Sequence, residues 1–226
     1  MTMGGGFVLI AIIGVIGMIV QSRLKSVFNK YSKVMAPGGL TGAQFAQKML
    51  DGNGIRDVKV TAIGGSLTDH YNPANKTLNL SESVYGSNSV AAAAVACHEC
   101  GHALQHAQGY APLRLRSALV PVVNFSSMLS QIVIIIGILL INVFPALFWI
   151  GILMFAMVLV FSVVTLPVEY NASHRALAWL QSSHSLTPVE VDQARETLMW
   201  AARTYVVAAL SALATLLYYI SFAGRR

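Results

Sequence analysis

The sequence predicts a mainly α-helical membrane protein with about four transmembrane helices and one small α+β segment outside the bilayer. Three observations carry this. Hydrophobic residues make up 55% of the 226 and charged residues only 11%, and the mean hydropathy is +0.63, too apolar for an ordinary soluble domain. Three runs, residues 1–22, 117–168 and 204–224, contain no charged residue. The remaining chain is polar and patterned, and it holds three histidines on one predicted helix.

A bilayer core takes about 20 apolar residues per helix, so the first and last runs each supply one span. The middle run is long enough for a helical hairpin, and "INVFPA" provides the Asn and Pro for its turn. A secretory signal would place a basic residue ahead of its apolar core, whereas here the basic residues follow it. Residues 5–22 are therefore read as a retained anchor, 117–168 as a transmembrane hairpin and 204–224 as the last span.

Lys and Arg concentrate in residues 23–116 and 169–203, and the hairpin turn has none. The positive-inside rule puts both segments in the cytosol and the amino terminus outside. Arg225 and Arg226 fall outside on that count, against the rule. The net charge of +6 is explained by these flanks. No aromatic-interleaved basic patch accompanies it, so nucleic acid is excluded as a partner; the partner is the lipid bilayer.

The segment 23–116 opens with "RLKSVFNKYSKV", a basic amphipathic linker expected to lie along the membrane surface. In "LTGAQFAQKMLDGNG", Thr41 and Gln44 have the spacing of a capping box, and Gly52 and Gly54 stop the helix. "DVKVTAI" and "KTLNLS" alternate apolar and polar residues as short strands. "GGSLTDHYNPAN" between them reads as a turn-rich loop. A helix follows over 89–108, capped by Ser89 and ended by Gly109. In 169–203 the helix "VEYNASHRALAWLQSSHS" continues the third span, and Thr187, Pro188 and Glu190 open another.

The 89–108 helix contains "CHECGHALQH". His98 and His102 stand four apart and project from one face, where two imidazoles can share a zinc ion. Glu99, the next residue, can act as general base on a water at the metal's open position. His106 lies about 12 Å along the axis from His98 at about 1.5 Å per residue, too far to complete the same site. Cys97 and Cys100 project away from the histidine face and read as small packing residues. A third protein ligand is still needed. Glu169 is the only acidic residue between Glu99 and Glu190, and the topology returns it to the histidines' side of the membrane.

"LTDHYNP", "LNLSESVY", "AVACHECGHALQHAQGYAPLRLR" and "LPVEYNASHRALAWL" together resemble the YugP family of neutral zinc metallopeptidases, bacterial membrane proteins similar in layout to the HtpX-type and CAAX prenyl endopeptidases. The resemblance covers residues 5–224. It implies a multi-pass cell-membrane protein with a zincin-like cytosolic segment, a Zn2+ cofactor, His98, His102 and Glu169 as ligands, and Glu99 as base. HtpX-type relatives carry E-x-x-x-D after the third span, and here "EYNAS" places Ser173 at the aspartate's position. Asn171, Ser173 and His174 are then the candidates to orient a ligand imidazole, and His70 is a candidate to meet substrate or transition state.

The expected function is zinc-dependent endopeptidase action on protein or peptide substrates, membrane proteins or their juxtamembrane segments. The "TLNL" strand is a candidate to hold an extended peptide by strand addition, with pairing to "DVKVTAI" as the alternative. Two other functions fit parts of the pattern. A site-2-type intramembrane protease also uses H-E-x-x-H but draws an aspartate from a later span, and the later charge-free runs have none. A non-catalytic zinc scaffold or sensor would have no need of Glu99.

Overall fold

The computed structural model describes residues 3–223; Gly224, Arg225 and Arg226, on which the end of the last span and the opposing charges fall, lie outside them. Among the described residues, four helices are long and apolar enough to cross a membrane, α1 (Met3–Tyr31), α5 (Ala111–Leu139), α6 (Pro145–Ser182) and α7 (Pro188–Ala223). Between the first two lie α2 (Gly42–Gly52), β1 (Lys59–Ile63), β2 (His70–Asn72), β3 (Thr77–Ser81), α3 (Glu82–Tyr85) and α4 (Val90–Ala107). The chain is a mainly helical membrane protein with a small α+β part.

It divides into two compact units. One takes in the residues up to Val20, Arg114–Leu166 and the residues from Thr204 onward. Within it, α5 and α6 pack through glycines. A Cβ on Gly137 would lie 2.5 Å from the Phe148 backbone, and one on Gly151 would lie 2.9 Å from the Ile134 nitrogen. Such close approach lets van der Waals contact hold helices together where lipid removes the hydrophobic drive.

The other unit comprises Gln21–Leu113 and Pro167–Arg203. Its sheet has the order β1-β3-β2, with β1 and β3 parallel and β2 antiparallel to β3. Leu78 and Leu80 point from β3 into a core shared with Phe45, Met49 and Leu50 of α2, the alanine run of α4, Leu180 of α6 and Leu198 of α7. The alanines Ala91–Ala94 are fully buried, because only small side chains let α4 pass through the middle of this core.

The local signals at helix ends hold. Thr41 and Gln44 form a reciprocal capping box, and Ser89 caps α4 by accepting from the Ala92 amide. Thr187 and Glu190 cap α7 in the same reciprocal way. Gly109, at φ +63°, turns the chain so that the Tyr110 amide reaches the Gln105 carbonyl at 2.9 Å and closes α4.

Three expectations are corrected. The amphipathic linker does not lie flat as a separate element: it is the continuation of α1, and Val27, Phe28 and Tyr31 are buried in the core of the unit that begins at Gln21. Its apolar stripe meets protein rather than lipid. The "turn-rich loop" contains β2, whose residues His70, Tyr71 and Asn72 pair with Asn79, Leu78 and Thr77. Finally, β3 is the central strand, so "TLNL" has no free edge for strand addition. The sheet's free edges belong to β1 and β2.

Candidate metal centre

One turn of α4 sets His98 and His102 side by side, their rings 4.9 Å apart and nearly perpendicular. Glu169 comes from α6, 67 residues after His102 in sequence. Its carboxylate lies 3.2 Å from His98 Nε2 and 3.7 Å from His102 Nε2. These three side chains form the only such metal-capable group among the described residues, all ligand atoms lying within 4.8 Å of one another.

The spacing fits the ion. Two ligands at about 2.05 Å in a tetrahedron stand about 3.3 Å apart, and the observed 3.2 and 3.7 Å bracket that value. Two imidazole nitrogens and one carboxylate oxygen also match the donor set of an open zinc site.

A glycine makes this meeting possible. A Cβ at Gly101 would sit 2.5 Å from the Ala172 carbonyl oxygen and 3.0 Å from its Cα. These are backbone atoms of α6, one turn beyond Glu169, and they cannot give way singly. Gly101→Ala should therefore cost about 1–3 kcal/mol of stability by overpacking. It should also weaken zinc retention by prising Glu169 from the imidazoles. Thermal unfolding with and without added zinc measures both, and a variant with wild-type metal content would show that the crossing does not position the carboxylate.

The imidazoles are held from behind. His102 Nδ1 lies 3.0 Å from Gln105 Oε1. Gln105 is fully buried, and its Nε2 donates to the Val168 carbonyl at 2.8 Å and to Asn171 Oδ1 at 3.0 Å. Both partners are acceptors, which fixes the amide's orientation. Its oxygen can then only accept, so His102 carries its proton on Nδ1 and turns Nε2 toward Glu169. His98 Nδ1 meets Ser173 Oγ at 3.1 Å, leaving its Nε2 toward the same carboxylate.

The orienting roles thus divide. Of the three candidates, Ser173 is the one that meets His98. Asn171 touches neither histidine; it accepts from Gln105 and from Arg175 Nε at 2.7 Å. His174 is exposed and outside the ligand group. Sequence reasoning missed Gln105, although its position three after His102 puts it on the same helix face. Gln105→Leu should lower zinc affinity about 10- to 100-fold with the fold intact, as read by competition against a chelating dye. An unchanged affinity would leave the amide a packing group.

Glu99 is buried, and its Oε2 accepts the Tyr71 amide at 3.0 Å. Tyr71 is the second residue that sequence reasoning missed. Its hydroxyl lies 2.8 Å from His106 Nδ1, which places His106 against β2 and outside the ligand group. His70, by contrast, is exposed, with Nδ1 at 2.8 Å from the Thr68 carbonyl and Nε2 at 3.1 Å from Asn79. It pairs with Asn79 on the sheet face opposite Leu78 and Leu80, and Glu99 meets the backbone amide of its neighbour Tyr71 instead.

The electrostatics favour a cation. Burial opposes a charge on His102, but the hydrogen bond with Glu169 and the charges of Glu99 and Glu169 outweigh it and raise its pKa above the ordinary imidazole value. Cys97 and Cys100 are fully buried, and Cys100 Sγ faces the Ala46 carbonyl at 3.5 Å. Burial pushes both thiols far above their ordinary range, so neither is a thiolate available to a metal.

Comparison with known proteins agrees with this chemistry. The model of a family described as "Putative neutral zinc metallopeptidase" matches residues 6–224. A Bacillus subtilis protein named "Putative membrane protease YugP" is 44% identical over 200 residues, 88% of this chain and 88% of that protein. No solved structure matches.

Proposed function

The chain belongs to this zinc metallopeptidase family, and on that premise we propose that it is a membrane-bound endopeptidase with His98, His102 and Glu169 holding Zn2+ and Glu99 as general base. The observation that carries this reading is a three-donor group with a buried carboxylate beside it that belongs to no ligand pair. A structural zinc site is closed by four protein ligands. Here the described residues offer three, and the two cysteines are turned away.

Zinc, when bound, supplies Lewis acidity toward water and toward the scissile carbonyl. The chain's own groups handle the protons. Glu99 is held through Oε2 by the Tyr71 amide, which leaves Oε1 to take a proton from water and pass it to the leaving amine. Ser173 and Gln105 keep both imidazoles aimed at one point, so little reorganisation accompanies the chemistry. With β3 internal, the free edge that adjoins Glu99 is that of β2, and an extended peptide laid along it would bring its backbone to the carboxylate.

The distribution of Lys and Arg supports residues 23–116 and 169–203 on the cytosolic side, with 5–22, 117–168 and 204–224 in the bilayer. A site so placed suits membrane proteins and their juxtamembrane segments as substrates. The test is direct: full-length protein in mild detergent should contain one zinc per chain and cleave an unfolded protein substrate. A chelator should abolish cleavage, and added zinc should restore it. Cleavage that survives complete metal removal would refute the proposal.

A further inference from the structure

Beyond its apolar part, α1 is a two-faced helix. Val27, Phe28 and Tyr31 are buried in the core, and the Tyr31 hydroxyl donates to the Glu196 carboxylate. The other face is open. Ser22, Lys25, Ser26, Asn29 and Lys30 line it at the i, i+3, i+4, i+7 and i+8 spacing of one helical face, and Lys33, in the turn just past the end of α1, lines it with them. All six are exposed. They offer ammonium, hydroxyl and amide donors, with no carboxylate among them.

The depth of this face follows from helix length. From Met3 to Ser22, at about 1.5 Å per residue, α1 rises about 30 Å, the thickness of a hydrocarbon core. The donors therefore begin where the hydrocarbon ends and the lipid phosphates lie. A rule of topology requires only positive charge near a span. This face has more, because its buried opposite side fixes the helix's rotation and sets hydroxyl and amide groups between the lysines. Lys30 also reaches the Tyr31 hydroxyl at 3.0 Å, so Lys25 and Lys33 bracket Ser26 and Asn29 as the outer charges.

We propose that this face binds the phosphate of an anionic phospholipid headgroup. Free phosphate presents the same oxygens, but the position at the end of the apolar run favours the lipid. The reading is independent of the zinc site.

Native mass spectrometry of the full-length protein, released from micelles with equal phosphatidylglycerol and phosphatidylcholine, tests it. The wild type should retain phosphatidylglycerol preferentially. Each lysine at the membrane surface contributes about fivefold, so Lys25→Gln with Lys33→Gln should lower that retention about 30-fold. Ser26→Asp, which sets a carboxylate among the donors and keeps every lysine, should lower it in the same direction. Arg56→Gln with Lys59→Gln removes the same charge from an exposed stretch elsewhere and should leave retention unchanged. Undiminished retention in the double lysine variant and in Ser26→Asp, or an equal loss in the Arg56 and Lys59 control, would overturn the proposal. Displacement of the lipid by excess inorganic phosphate would assign the face to a free anion and overturn it as well.

Discussion

Glu99→Gln is expected to keep zinc at the wild-type stoichiometry and to lose about 10²- to 10⁴-fold in kcat, the usual contribution of a positioned general base. The substitution is close to isosteric, and the amide oxygen can still accept the Tyr71 N–H that now reaches Oε2 at 3.0 Å. Packing around the buried side chain is therefore preserved while its proton affinity is lost. Glu99 stands outside the group of three ligand atoms, so metal content should not follow activity. Elemental analysis and turnover measured on the same preparation separate the two. A variant with zinc and undiminished turnover would remove Glu99 from the chemistry and assign the proton transfer to another group.

Glu169→Ala should show the opposite pattern, with most of the zinc lost and activity lost with it. Only 2% of Glu169 is exposed, and its carboxylate faces both Nε2 atoms. Its removal leaves two imidazoles, an incomplete site, and metal binding depends steeply on the number of fixed ligands. Ala favours helix, so α6 and membrane insertion should survive, which a protease-protection assay on membranes checks. Glu169→Gln keeps the side chain's volume and should also lose metal, since the charge is gone. Full zinc occupancy in both variants would send the third ligand elsewhere in the chain.

What could be read directly from the sequence is local. The charge-free runs mark the four long helices because a span's length and composition need no partner. The caps at Thr41, Ser89 and Thr187 involve atoms within three residues of one another. The pairing of His98 with His102 follows from helical pitch alone. Glu169 was legible for a different reason, as an isolated charge at the edge of a long apolar run.

Tertiary structure decided the rest, wherever the partner is distant in the chain. The stretch around β2 is rich in Gly, Asn, Asp and Pro and has no strand signal of its own; three residues become a strand only because β3 is there to pair with them. β3 took the centre of the sheet through a parallel pairing with β1, which alternation cannot specify. Gln105 stood in plain sight one turn from His102, yet its role depends on two acceptors of α6 that lock its amide. Between Asn171 and Ser173, only the approach of α6 to Gly101 settles which one reaches His98. Helical and turn preferences act over three or four residues. The aim of a buried polar group is set by whichever backbone the fold brings within about 3 Å of it.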